Sequence, residues 1–98
     1  MGTVVIGYAP SREMYDGVNA AMRAANGGAM PSFEGCIVHT ASELADGRIK
    51  IVDVWESSEA EQAFVDNHLM PAFRAAGVPE ELLAANTPER TEPFELVT

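Results

Sequence analysis

Residues 36–55, CIVHTASELADGRIKIVDVW, hold the stretch on which the fold turns. Two runs rich in β-branched and aromatic residues, 36–41 and 48–55, flank Ala45-Asp46-Gly47. Asp-Gly supplies the positive φ that a tight turn between antiparallel strands requires, so the segment reads as a β-hairpin. Upstream, Thr3-Val4-Val5-Ile6-Gly7-Tyr8-Ala9 ends at Pro10, is too short for a free helix and is apolar in both alternating sets. That pattern marks a central strand covered on both faces.

Between these strands Ser11 is placed to cap a helix in which Met14, Tyr15, Val18, Ala21, Met22 and Ala25 fall within about 120° of one another. Arg12, Glu13, Asp16, Asn19 and Arg23 take the opposite side, and Asn26-Gly27-Gly28 supplies the stop. Beyond the hairpin, Ser58-Glu59-Ala60-Glu61 has the form of a capping box. The helix it opens carries two apolar stripes, Ala60, Ala63 and Phe64, then Val65, Leu69, Ala72, Phe73 and Ala76, about half a turn apart. One straight helix cannot bury both. Pro71 has no N–H for the Asn67 carbonyl, so a kink or break is predicted near 67–70. Gly77 closes the segment, 79–86 reads as a short helix with Pro79 at its first position, and 93–98 alternates as a last, edge strand.

The order β, α, β, β, α, short α, β predicts an α+β, ferredoxin-like βαββαβ domain over 1–98, a four-stranded antiparallel sheet with helices on one face. Both alternating sets of Val4-Val5-Ile6 and Ile51-Val52 are apolar, so the other face needs a cover that the chain does not supply. A second copy, packed sheet face to sheet face, is the economical cover. With 98 residues, such a domain removes only about two-thirds of its surface from water, and a partner would help.

Composition bounds the function. The chain has 47% hydrophobic and 21% charged residues, a globular balance rather than a disordered one. Six Lys and Arg against 15 Asp and Glu give a net charge of −9 without a basic cluster, which argues against nucleic acid and anionic membrane as partners. Cys36 is the sole cysteine, excluding an internal disulfide and a cysteine-rich zinc site and suiting a reducing, cytoplasmic setting. No run approaches 18 apolar residues, no basic region precedes Thr3-Val4-Val5-Ile6, Ile6 spoils a myristoylation motif and no prenylation motif closes the chain, so neither export nor anchoring is expected. Glycine-rich nucleotide loops, H-E-x-x-H, G-x-S-x-G and C-x-x-C are all missing. Neither cofactor nor metal is expected.

The remaining chemistry lies with a few polar and aromatic residues. His39, in an apolar strand, reads as a hydrogen-bonded structural histidine, a pocket group or, least of all, a ligand. Asp53, between Val52 and Val54, needs a donor or a raised pKa, which is how a general base is made; a salt bridge to Arg48 or Lys50 is the plainer reading. Trp55 is a core or interface anchor or a cavity wall, and Tyr8 and Tyr15 carry hydroxyls able to orient a phenolic or carbonyl ligand. His68 sits at the border of the two stripes beside the expected kink, where a pocket opens or a surface role suffices.

Met14-Tyr15-Asp16-Gly17-Val18-Asn19, Glu34-Gly35-Cys36-Ile37-Val38-His39 and, above all, Asp53-Val54-Trp55-Glu56-Ser57 leading to Ala60, Phe64 and Leu69-Met70-Pro71-Ala72 carry a resemblance over nearly the whole chain. The sequence resembles the dimeric α+β barrel superfamily, with its antibiotic biosynthesis monooxygenase-like domains. The resemblance implies two sheets closing a barrel between subunits, helices outside, and a cavity between sheet and helices for an aromatic ligand. Some members oxidise such a ligand with dioxygen without metal or flavin. Haem-degrading members place Asn on the first strand and Trp and His on the second helix. Here strand one lacks Asn, and Phe64 and Arg74 stand at the Trp and His places, so haem degradation is not implied.

Two functions follow as expectations. One is a cytoplasmic homodimer binding an aromatic or hydrophobic metabolite as a cofactor-independent monooxygenase. His39 and Asp53 are then its catalytic residues, and Tyr8, Trp55, Phe64 and His68 line its pocket. The other is a non-catalytic ligand-binding or assembly module in which these residues only pack; isomerisation or cyclisation of a small molecule is a third, lesser reading.

Overall fold

The computed structural model describes residues 2–98, which build β1 (Thr3–Ala9), α1 (Arg12–Ala25), β2 (Cys36–Glu43), β3 (Ile49–Trp55), α2 (Ser58–Phe64), a π-helical turn (Val65–Leu69), α3 (Met70–Ala75), α4 (Glu80–Ala85) and β4 (Glu89–Thr91). The strands form one sheet in the order β2-β3-β1-β4, with every neighbouring pair antiparallel. This is the expected ferredoxin-like arrangement, with β1 and β3 at its centre. The Asp46-Gly47 turn forms as predicted, Gly47 at φ 89° and the strands pinned by Leu44 N–H to Arg48 O at 2.8 Å.

Register assigns the two faces. Thr3, Val5, Gly7 and Ala9 share the inner face with Ile49, Ile51, Asp53 and Trp55, while Val4, Ile6 and Tyr8 share the outer face with Val54, Val52 and Lys50. The inner face packs on the helices through Val5, Val18, Met22, Trp55, Phe64 and Ala72, with Trp55 only 1% exposed. Ser11 caps α1 by accepting from the Met14 N–H at 3.1 Å, and α1 buries Val18 and Met22. Gly35, at φ 82°, lies where an added Cβ would come within 2.7 Å of the Ala60 Cβ, so the loop before β2 fits against α2 only without a side chain.

The predicted kink is a π turn. The Met70 N–H reaches back five residues to the Val65 carbonyl, which inserts one extra residue into the helix. Counted from Phe64, Leu69, Ala72 and Phe73 stand at five, eight and nine; with one residue absorbed they stand at four, seven and eight, a single helical stripe. Phe64 and Ala72 are accordingly both buried, and Val65, Leu69 and Phe73 half-buried, whereas Ala63 and Ala76 face solvent.

Two expectations fail. The α2 cap is Ser57, accepting from the Ala60 N–H at 3.1 Å, not Ser58, so no capping box forms and Glu61 is free to pair elsewhere. The last strand is Glu89–Thr91, pairing Ile6, Val5 and Val4, not 93–98. Pro93 cannot donate to a ladder, and the register is held upstream by Arg90; the segment beyond leaves the sheet, with Phe94 98% exposed.

Candidate functional site

Between the inner sheet face and the helices lies a cavity of about 300 Å³, walled mainly by apolar groups such as Val5, Met14, Val18, Met22, Leu69 and Phe73. The polar groups gather at opposite ends of one row across the sheet, in which His39 pairs Asp53, Asp53 pairs Val5 and Val5 pairs Arg90.

A β-bulge places His39 in that row. Cys36 pairs Trp55, but Val38 pairs Val54, leaving Ile37 as the extra residue. Strict alternation from Cys36 would turn His39 outward; the bulge turns it inward, opposite Asp53. There His39 Nδ1 lies 2.6 Å from Asp53 Oδ1 and His39 Nε2 lies 3.2 Å from the Tyr15 hydroxyl, presented by α1. With Nδ1–H donating to the carboxylate, the neutral ring exposes its Nε2 lone pair, which accepts from the Tyr15 O–H. The hydrogen bond that His39 donates to Asp53 is the main cause holding the imidazolium pKa above 6.5, with burial opposing and the Asp53 charge assisting. The result is an imidazole held above its ordinary pKa, oriented by a carboxylate and placed at the solvent-exposed edge of a largely apolar cavity, where a general base meets a ligand.

Aromatic rings back this group. Phe33 meets the His39 ring edge-on at 5.2 Å, stacks parallel to Trp55 at 6.4 Å and packs on Phe64 at 4.3 Å. At the other end of the row Arg90 donates from Nε and Nη2 to the two Glu61 carboxylate oxygens at 2.9 and 3.0 Å, and Glu61 is only 4% exposed. This bidentate pair ties the three-residue strand β4 to α2 and keeps the Arg90 pKa raised, chiefly through the hydrogen bond to Glu61.

His39, Asp53, Trp55 and Phe64 thus meet at one cavity. Tyr8 touches its rim, but its place on the outer face puts its ring under Arg48, whose guanidinium carbon is 5.1 Å from the ring centroid. His68 lies apart, against the far side of Phe64 at 5.5 Å and beside a shallow depression with Glu34, Glu56 and Asn67. The π turn draws Val65 and Leu69, not His68, to the cavity. The salt bridge weighed for Asp53 forms with His39 rather than with Arg48, which pairs Asp46 at 2.8 Å. Phe33, Glu61 and Arg90 were not singled out in the sequence. Phe33 lies in a loop, and Glu61 read as half of a capping box. Cys36 donates its S–H to the Val38 carbonyl at 3.3 Å, and burial, then the Asp53 charge, push its thiol pKa up, so it stays protonated. Among the described residues no three His, Cys, Asp or Glu side chains assemble into a site for a metal ion, and no helix is long and apolar enough to cross a membrane.

Known structures share this architecture. The chain matches Rv0793 from Mycobacterium tuberculosis with a TM-score of 0.67 and 17% identity, covering 100% of both chains. An antibiotic biosynthesis monooxygenase candidate from Chloroflexus aurantiacus matches at 0.58 and 21% identity over 100% of this chain and 98% of its own. The chain has the antibiotic biosynthesis monooxygenase-like fold. A further candidate of that kind, from Deinococcus radiodurans, matches at 0.55 and 16% identity over 100% and 97%. No family model matches the chain, and no curated protein is similar to it in sequence.

Proposed function

We propose that this chain is a cytoplasmic homodimer whose cavity binds an aromatic or otherwise hydrophobic metabolite with an ionisable hydroxyl, and that it acts on it as a cofactor-independent monooxygenase. The observation that carries this reading is the Asp53-His39-Tyr15 chain, held at 2.6 and 3.2 Å beside an aromatic wall in a cavity of about 300 Å³. His39 Nε2 takes the phenolic proton and Asp53 stabilises the imidazolium that forms. A ligand hydroxyl reaches Nε2 by replacing the Tyr15 hydroxyl. The electron-rich phenolate reduces dioxygen directly: one oxygen atom enters the ring, the other leaves as water, and the phenol becomes a quinone without an outside reductant. Trp55, Phe33 and Phe64 exclude water from the ring. The fold shared with monooxygenase candidates supports the class of reaction but, at 16–21% identity, does not decide it.

The test replaces His39→Gln and Asp53→Asn separately and follows oxygen uptake with naphthol and dihydroxynaphthalenes. Each variant is expected to keep its melting temperature within a few degrees and lose about 10²-fold or more in kcat/KM. The wild-type rate should rise with pH through the His39 pKa, since the neutral ring is the active form. Asp53→Asn removes the cause of the raised pKa, so any residual activity should rise at lower pH. Turnover lost only in step with stability, or no oxygen uptake with ligand bound, would leave a non-catalytic binding or assembly module as the function.

A further inference from the structure

The hydroxyl that donates to His39 belongs to the protein itself. Tyr15 is half-buried at the cavity wall, with its Oη 3.2 Å from His39 Nε2, and His39 Nδ1 is 2.6 Å from Asp53 Oδ1. A hydroxyl, an imidazole placed to take its proton and a carboxylate that orients the imidazole are the three parts of an activated nucleophile, and tyrosine is among the side chains that form covalent intermediates. The three come from three elements, α1, β2 and β3, and the bulge at Ile37 completes the line. Asn19, one turn on from Tyr15 along α1, also lines the cavity. An i, i+4 neighbour stands about 5–6 Å away, so its amide N–H is within reach of a carbonyl oxygen bound at the Tyr15 hydroxyl.

We propose that Tyr15 is a nucleophile, and that this site transfers apolar acyl groups from aryl esters or thioesters to water through an O-acyl-Tyr15 intermediate. His39 Nε2 takes the Tyr15 proton as Oη bonds to the acyl carbon; the ester C–O or thioester C–S bond breaks, and the imidazolium gives the proton to the leaving oxygen or sulfur. Water then attacks the acyl-tyrosine with the same base, releasing a carboxylic acid and restoring Tyr15, and nothing is oxidised or reduced. Leaving groups set the substrate class. The tetrahedral intermediate expels the more stable anion, and a tyrosine phenol ionises near about pH 10, a cysteine-like thiol near about 8.5. Aryloxides and thiolates therefore leave at least as readily as Tyr15, whereas an alkoxide does not, and an alkyl ester expels the tyrosine instead. The acyl group is apolar because Met14, Val18 and Met22 wall the cavity beside Tyr15. This activity goes beyond the oxygenase reading: it uses the same base, consumes no oxygen and needs no ionisable hydroxyl on the substrate.

The test mixes the wild type with p-nitrophenyl hexanoate, a hexanoyl alkyl thioester and ethyl hexanoate, following leaving-group release and intact mass together. The first two are expected to turn over and to leave a hexanoyl group that peptide mapping assigns to Tyr15, with ethyl hexanoate unchanged. Mapping on the wild type needs no variant to fold. His39→Gln should slow the acylation of Tyr15 about 10²-fold or more. Tyr15→Phe, which keeps the ring, should abolish the adduct and most of the turnover. If Tyr15→Phe hydrolyses the aryl ester as fast as the wild type, the imidazole attacks alone and the proposal falls. A hexanoyl group found only on Lys50, or release no faster than with free imidazole at equal concentration, overturns it as well. None of these readouts involves oxygen, so acylation of Tyr15 without oxygen uptake upholds this proposal and removes the oxygenase, while oxygen uptake without acylation overturns this proposal alone.

Discussion

Glu61 and Arg90 show how much one pair of residues decides. Glu61 is 4% exposed, and a carboxylate so placed is tolerable only because Arg90 meets both of its oxygens. Arg90→Ala strands that charge in the protein and frees β4, which pairs β1 over only three residues. The expected loss is about 3 kcal/mol in urea unfolding, at the low end for a buried pair because the Arg90 side chain is 39% exposed. Glu61→Gln in the same background should recover part of it, since an amide needs no counter-charge; equal stability of the single and double variants would deny the pair this role. His39 and Asp53 are coupled differently. A raised imidazolium pKa stabilises the fold fully below about pH 6.5, and the contribution fades as pH rises through the folded-state value. With the imidazole 35% exposed, screening keeps it under about 1 kcal/mol. The residue types at these positions were legible as chemistry. Their partners were not, because the bulge at Ile37 that faces His39 towards Asp53 leaves no mark in an apolar strand where both alternating sets are hydrophobic.

The helical segment from Ser58 to Ala75 shows the same limit one level up. Two stripes out of phase, with Pro71 between them, announced a break, but the pattern alone did not distinguish a kink from a one-residue insertion. The insertion is the cheaper solution, since it keeps Phe64 of the first stripe and Val65, Leu69 and Phe73 of the second on the cavity and loses little backbone hydrogen bonding. This makes an unusual prediction. Deleting Asp66, an exposed residue of the π turn, leaves Phe64, Leu69, Ala72 and Phe73 in ordinary α-helical phase and should cost less than about 1 kcal/mol. Inserting one alanine after Asp66 turns the later stripe by about 100° and takes Leu69 and Phe73 off the cavity. At roughly 1.5–3 kcal/mol for each large apolar side chain exposed, a loss of more than 3 kcal/mol is expected. Thermal melts of the two variants decide it, and similar losses in both would mean that the stripe phase is not what the turn preserves. The C-terminal strand was misplaced for a related reason: alternation at 93–98 is a local signal, whereas the choice of 89–91 is made by the Arg90 contact with a helix 29 residues away.

At the scale of the molecule the strand order was readable from the hairpin outward, and so was the apolar character of the sheet's outer face. Its outer face carries Val4, Ile6, Val52 and Val54 in the middle, Val38 43% exposed beside them, and polar residues such as Lys50, Thr40 and Glu89 at the margin. The accessible surface is 6197 Å², about 800 Å² more than expected for a folded monomer of 10.5 kDa. A standard interface removes about 800 Å² from each partner, so a second copy on this face would bring the molecule to an ordinary surface-to-mass ratio. An apolar centre inside a polar rim is also the anatomy of an association surface. The wild type should therefore run as a dimer in native mass spectrometry and sedimentation. Val54→Asp, which sets a charge opposite Val4 and Val38 on the outer face and touches nothing in the cavity, should produce a monomer with an unchanged far-ultraviolet spectrum at low temperature. It should also melt earlier, because the apolar residues around position 54 are then left to water. A wild-type monomer at micromolar concentration would overturn the dimer. A Val54→Asp dimer would move the contact elsewhere, to the exposed tail around Phe94 or to the helices, and would leave the outer valines without a role in assembly.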